Sequence, residues 1–258
     1  MISSLGNYFD AIYVINLDRR TDRWVQAQAE LELCGIDTAE RWPAYDCPSC
    51  GVYGCLKSHR SLIKKIAEGP GRNALILEDD FQLLTIELLI KAGFTPDSEV
   101  MKLFLSAPFP PQYARMADID YDASERFKAL ISELPADWDV LYLGGGYQKP
   151  PLSRVSAHVI RNAGMLCTHA YAISKHHARE FSEALDKNIP QQDPVDGKIV
   201  DGIGAIDSIL ATWAPHHLYY TISPRLFIQR PQSRSDVNLG DGEGFPYSLT
   251  DAAHEAMV

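Results

Sequence analysis

The sequence predicts an α/β fold with a mostly parallel central sheet. Three short apolar runs, at 11–17, 73–77 and 139–143, read as strands buried on both faces. Segments with helical spacing of apolar residues alternate with them, the arrangement that surrounds a parallel sheet with helices. A chain with 46% hydrophobic and 22% charged residues has the composition of an ordinary globular protein.

The elements follow in order. Ala11-Ile12-Tyr13-Val14-Ile15-Asn16-Leu17 is nearly continuous in apolar, β-branched residues, as a doubly buried strand requires. The charged run Asp18 to Arg23 ends it. Trp24 to Leu33 reads as a helix, with Gly35 as its stop. A second helix is expected over Tyr53 to Ala67, where Leu56, Leu62, Ile63 and Ile66 fall on one face and Gly69-Pro70-Gly71 terminates it. Asn73 to Leu77 is the next strand and runs directly into Glu78-Asp79-Asp80. The proline-bearing stretch from 93 to 122 reads as an inserted loop or lid. A helix over Ala123 to Leu134 and a strand over Asp139 to Leu143 come next. Strands at Ser156–Ile160 and Ala170–Ile173, a helix over Lys175–Leu185, a polar loop over 190–204, a short helix over Ile206–Trp213 and a strand at Tyr219–Ile222 complete the pattern.

At roughly 150 residues per domain, 258 residues admit one large domain or two small ones. No repeat or linker composition divides the chain, so 1–230 is read as one domain and the polar, Gly-rich 231–258 as a tail. The net charge of −10 makes nucleic acid an improbable partner, because polyphosphate repels an acidic surface. No run of about 20 apolar residues is available for a membrane span. The first residues lack the basic start and apolar core of an export signal. The five cysteines are therefore expected as reduced thiols in a cytoplasmic setting.

Glu78-Asp79-Asp80 is the sharpest chemical feature. Three adjacent acids beyond a buried strand sit where open α/β sheets bind ligands. Their hard oxygens suit Mn²⁺ or Mg²⁺, ions that keep positions open for substrate phosphates. The alternative is a strand-to-helix cap with the remaining acids solvated. Gly51-Val52-Tyr53-Gly54-Cys55-Leu56-Lys57-Ser58-His59 reads either as a glycine-rich loop aiming helix amides, Lys57 and His59 at an anion, or as an ordinary turn and helix start. Cys47, Cys50, Cys55 and His59 make a short-spaced Cys3His set, for which free thiols are the preferred reading over zinc. Gly144-Gly145-Gly146 follows a strand but no helix follows it, so it indicates close backbone approach rather than a dinucleotide fingerprint. His176-His177 and His216-His217 are adjacent pairs, read as surface histidines. Ser58 and Ser208 lack a nucleophile-elbow pattern.

Taken in order, several blocks resemble glycosyltransferase family 25, which contains lipopolysaccharide galactosyltransferases and collagen galactosyltransferase domains. They are Ile12 to Trp24, Gly54-Cys55-Leu56-Lys57-Ser58-His59, Ala74 to Asp80 and Asp137 to Gly144, with weaker matches at His169–Ser174 and Ile206-Asp207-Ser208. The resemblance implies a GT-A (Rossmann-like) catalytic domain, a UDP-galactose or UDP-glucose donor, a divalent cation (Mn²⁺ or Mg²⁺) and transfer with inversion to a hydroxyl acceptor such as a glycan or lipopolysaccharide. It places Ile15, Asn16, Leu17, Arg19, Arg23, Lys57, Ser58, His59 and Asp79 near the donor, and Glu78, Asp79 and Asp80 at the metal and diphosphate. Asp207 is the candidate base, with a helix cap as its plainer role. Gln229, with Arg230 and the 233–236 run, is expected to close over the diphosphate. The acceptor is left open, as is weak peripheral membrane contact. Two other classes compete: a non-catalytic nucleotide-sugar or carbohydrate-binding module, and a metal-dependent phosphohydrolase using the same acids.

Overall fold

The computed structural model describes residues 4–85, 127–189 except 129, 204–223 and 225–230, together with 88, 90 and 95. The expected lid at 93–122, the loop at 190–203, the tail from 231 and the first residues of the 123–134 helix lie outside these, apart from Thr95.

An eight-stranded sheet organises the chain. Its strands are β1 (Ile12–Asn16), β2 (Glu40–Pro43), β3 (Asn73–Glu78), β5 (Val140–Tyr142), β7 (Ser153–Arg154), β8 (Val159–Arg161), β10 (Ala170–Ser174) and β11 (Tyr219–Ile222). The spatial order is β2-β1-β3-β10-β5-β11-β8-β7. β2, β1 and β3 are parallel to one another, and so are β5 and β11. β10 is inserted antiparallel between β3 and β5, and β8 also runs against its neighbours. Strand direction is thus mostly shared, although the sheet is mixed. Two small ribbons pair β4 (Phe81–Leu83) with β12 (Phe227–Gln229) and β6 (Gly146–Tyr147) with β9 (Met165–Leu166).

Alternation along the central strands explains their unbroken apolar sequence. Ile12 and Val14 of β1, Leu75 and Leu77 of β3, and Ala170 and Ala172 of β10 face one core layer. Tyr13 and Ile15, Ala74 and Ile76, and Tyr171 and Ile173 face the other. Successive side chains point to opposite faces, so a strand covered on both sides has no polar positions to spare. The first layer is closed by α2 (Thr21–Leu33) through Ala27 and Leu31, and by α1 (Ser4–Tyr8) through Leu5. α3 (Gly51–Glu68), α4 (Lys175–Asn188) and α5 (Ile206–Trp213) close the second.

The helices start and stop for local reasons. α2 begins at Thr21, three residues before the sequence reading. It ends in a Schellman arrangement: Ile36 N–H donates to the Leu31 carbonyl at 2.8 Å and Gly35 N–H to that of Glu32 at 2.9 Å. Gly35 adopts φ 62° there, which glycine reaches without a Cβ penalty. Ser174 caps α4 by accepting from His177 N–H. α3 begins at Gly51, so of the two readings of 51–59 the helix start holds, two residues earlier than Tyr53. Gly54 is needed inside that helix because a Cβ would lie 2.8 Å from the Tyr45 carbonyl of the crossing loop.

Two further readings are corrected. The strand expected at Ser156–Ile160 is displaced to Val159–Arg161, because Ser156 forms a turn whose hydroxyl accepts from Val159 N–H. The histidine pairs are not surface residues as such: His177 is fully buried, with its ring 4.9 Å from that of His217.

Candidate donor-binding site

The carboxyl ends of β1 and β3 lie side by side, with Ile15 in register with Glu78. β10 begins at the same edge, because it runs the opposite way. Its lead-in turn, Cys167-Thr168-His169, therefore packs directly on the Glu78-Asp79-Asp80 segment. Glu78 N–H donates to the His169 carbonyl at 3.0 Å.

The three acids have three different surroundings. Asp79 is buried and both its oxygens are taken: Arg23 Nη1 donates to Oδ1 at 2.9 Å and Asn16 Nδ2 to Oδ2 at 2.6 Å. Burial raises its carboxyl, with the Arg23 charge and the Asn16 hydrogen bond opposing. Asp80 is buried beside Gln229, whose Nε2 donates to Oδ2 at 3.0 Å, and Arg23 Nη1 stands 3.7 Å from the same oxygen. Burial and then the Glu78 charge push Asp80 up to about 6. Glu78 is half-buried. His59 Nε2 lies 3.1 Å from its Oε1, and Thr168 Oγ1 donates to that atom at 2.6 Å. Burial alone would raise its carboxyl, but the bonds and charge of His59 with the Thr168 hydroxyl leave it below the usual value.

Asp207 closes the site from the other side. It is the second residue of α5, so it is not the N-cap, which is Ala205. Its Oδ1 accepts from Ser208 N–H at 2.6 Å and its Oδ2 from Cys167 N–H at 3.1 Å. One turn thus presents Cys167 to Asp207 and the next residue, Thr168, to Glu78. Cys167 holds φ 64° to do so, a conformation that costs a non-glycine residue about 1–2 kcal/mol. Burial, then the charges of Asp207, Glu78 and Asp80, pushes the Cys167 thiol up to about 12. Cys55 is raised well above its ordinary value by burial and the same three acids. Asp207 and Glu78 are thus joined through two adjacent residues, Cys167 and Thr168.

The remaining expected donor residues divide. Asn16, Arg23, His59 and Gln229 are brought to the acids. His59 is held on its other face by the Tyr171 hydroxyl at 2.9 Å. Ile15 sits in the core layer under α3, and the Leu17 carbonyl accepts from Arg41 Nη2. Arg19 pairs with Asp46 at 3.0 Å in the open. Lys57 lies over the Tyr45 ring at 3.9 Å. The Ser58 hydroxyl donates to the Gly54 carbonyl and accepts from Tyr45 N–H, which ties the 45–47 loop to α3. Thr168, Cys167 and Arg225 are additions that the sequence reading missed. Arg225 is buried, its charge reaches Cys167 and His169, and no motif marks it. The close approach expected at the triple glycine is real but internal: a Cβ on Gly144 would collide with the His169 ring.

Whether these residues suit a cation follows from their donors. Glu78 and Asp80 offer hard oxygens at one strand end, in keeping with Mn²⁺ or Mg²⁺. Asp79 fits a brace better than a ligand, since Asn16 and Arg23 occupy it. Cys55, His59 and Glu78 do bring one ligand atom each within 4.8 Å of the others. Burial and the neighbouring acids keep the Cys55 thiol protonated in the absence of an ion. Cys47 and Cys50 are buried free thiols and belong to neither of the described residues' candidate ligand groups.

Among the described residues no helix is long and apolar enough to cross a membrane. No family model and no curated protein matches the chain. One solved structure, a glycosyltransferase involved in the glycosylation of the major capsid of PBCV-1, is 10% identical over 96% of this chain and 98% of that one, with a TM-score of 0.34. Similarity at that level carries no argument about fold or activity. The α/β class rests on the eight-stranded sheet itself.

Proposed function

We propose that the chain is a divalent-metal-dependent glycosyltransferase of GT-A type that moves a hexose from a UDP-sugar, UDP-galactose or UDP-glucose, to a hydroxyl acceptor on a glycan. The observation that carries this reading is that Glu78 and Asp207 are bonded to adjacent residues of one turn, Thr168 and Cys167, at the carboxyl ends of β1 and β3, with Asp80 two residues beyond Glu78. Four of the blocks that resemble family 25 supply residues to this site: Asn16 and Arg23, His59, Glu78 to Asp80, and Asp207.

In this reading Glu78 and Asp80 hold the cation, which when bound would neutralise the donor diphosphate and assist its departure as a Lewis acid. Arg23 and Asn16 lock Asp79 and thereby set the backbone that carries both ligands. Gln229 fixes Asp80, and Arg225 adds positive charge beside the turn. Asp207 takes the acceptor hydroxyl's proton as its oxygen bonds to the anomeric carbon. The diphosphate leaves with the electron pair of the broken bond, and the configuration inverts. Oδ1 of Asp207 accepts from the Ser208 N–H and hydroxyl, while Oδ2 accepts from Cys167 N–H alone and keeps a lone pair for that proton.

The test is release of UDP from a set of UDP-hexoses with Mn²⁺ and simple glycoside acceptors. Acceptor-dependent UDP release that disappears in Asp207→Asn is expected. Phosphate release from simple esters without a sugar donor would overturn the reading in favour of a phosphohydrolase. Donor binding without turnover for any acceptor would leave a binding module.

A further inference from the structure

At the opposite edge of the sheet, α4 follows β10 and β11 begins, so the residues there are remote from the acidic pocket. His177 and Glu180 lie three apart on α4 and so share a face. His217 follows the short 3-10 turn Ala214–His216 and reaches the same point. His177, Glu180 and His217 each bring one ligand atom within 4.8 Å of the other two. We propose that these three residues form a second metal site, for a first-row divalent ion such as Zn²⁺, built from two imidazole nitrogens and one carboxylate oxygen.

The hydrogen bonds around the imidazoles leave the right atoms for it. His217 Nδ1 donates to the Trp213 carbonyl at 3.0 Å, which leaves Nε2 as the ring's lone-pair nitrogen. That Nε2 stands 3.6 Å from Glu180 Oε2. Two donors about 2.0–2.1 Å from a tetrahedral ion lie roughly 3.3–3.4 Å apart, so for this pair a shift of a few tenths of an ångström suffices, and His177, within 4.8 Å of both, moves in by up to about 1.5 Å. His177 Nε2 is bonded to the Tyr219 hydroxyl at 2.6 Å, while its Nδ1 is buried without a hydrogen-bond partner. A buried ring nitrogen in that state is costly, and ion binding would satisfy it. In both rings the second nitrogen is held by an oxygen, the outer-shell pattern that orients metal-bound histidines. Phe181 stacks on His177, and Trp213 stacks on His217 at 4.8 Å, so the rings are held in place. Glu180 is the solvent-facing member and leaves a way in. Nitrogen and carboxylate donors with aromatic walls favour Zn²⁺ over Mg²⁺.

The site is tested with Zn²⁺ alone on the full chain, by competition against a chromogenic chelator and by thermal unfolding. Wild type should bind Zn²⁺ with a raised melting temperature, one equivalent of it independent of the acidic pocket. In Glu180→Gln and His217→Gln that equivalent should weaken at least tenfold. Both changes are at partly exposed positions, and circular dichroism confirms that the variants fold. Asp80→Asn, at the other end of the sheet, should keep it. Equal Zn²⁺ affinity in wild type and both variants, or no binding by folded wild type, would overturn the proposal and leave His217 and Glu180 as a plain ion pair.

Discussion

Arg23→Met should expose how the acidic pocket is held together. The guanidinium sits 2.9 Å from Asp79 and 3.7 Å from Asp80, with every side chain involved less than a tenth exposed. At an effective dielectric near 20, each such pair is attracted by about 4–6 kcal/mol before desolvation is subtracted. Removing one partner of a buried pair costs about 3–5 kcal/mol, because the remaining charge stays in the interior. That is a large part of a typical domain's 5–15 kcal/mol. The loss must also depend on pH. Asp79 and Asp80 already have raised carboxyls, and without Arg23 both rise further. A raised carboxyl binds its proton in the folded state first, so its contribution is full at low pH and is lost as pH climbs through the folded value. Denaturant unfolding at pH 5 and pH 7.5 should therefore show a much smaller deficit at pH 5. Arg23→Met/Asp79→Asn should recover at least 1 kcal/mol over the single variant. A deficit under 1 kcal/mol at pH 7.5, or an equal deficit at both pH values, would refute the buried-pair account.

Other consequences are more local. Asp80, pushed up to about 6, must lose its proton to ligate, so Mn²⁺-dependent UDP binding should fall towards tenfold per pH unit below about 6, and calorimetry at pH 5, 6 and 7.5 reads this. Thr168→Val removes the hydroxyl donated to Glu78 at 2.6 Å. It should cost about 1.5–3 kcal/mol in denaturant unfolding near pH 7 and less below pH 4. Gly144→Ala forces a Cβ against His169 and the Phe227 carbonyl at 2.8 Å and should lower stability by about 1–3 kcal/mol. Asp207→Asn should keep donor affinity within about threefold while transfer falls by about 10²–10⁴, a split that single-turnover and binding measurements separate.

The parts legible in the sequence are those in which one local rule sufficed. β1, β3, β10 and β11 are read from unbroken apolar runs, and α5 is read at its observed bounds. β2 was missed because Glu40-Arg41-Trp42-Pro43 is an edge strand with exposed ends; its pairing with β1 supplies what its sequence does not. β4 and β12 are three-residue partners that only the folded chain brings together. The acid triplet and Asp207 were visible as residues, but their division of labour was not. Asp79 is claimed by Arg23 and Asn16, contacts 56 and 63 positions apart, and no periodicity encodes such a distance. His177 shows the same blindness: an adjacent pair reads as solvent-facing until α4 turns one of the two inward.

The account rests on a metal-assisted diphosphate site at Glu78 and Asp80, and one calorimetric titration addresses it directly. UDP-galactose and UDP-glucose are titrated into wild type and Asp80→Asn, with and without Mn²⁺. The prediction is that one donor binds wild type only when Mn²⁺ is present, and that the folded variant binds neither. Metal-independent binding, equal affinity in Asp80→Asn, or no binding by folded wild type would contradict it.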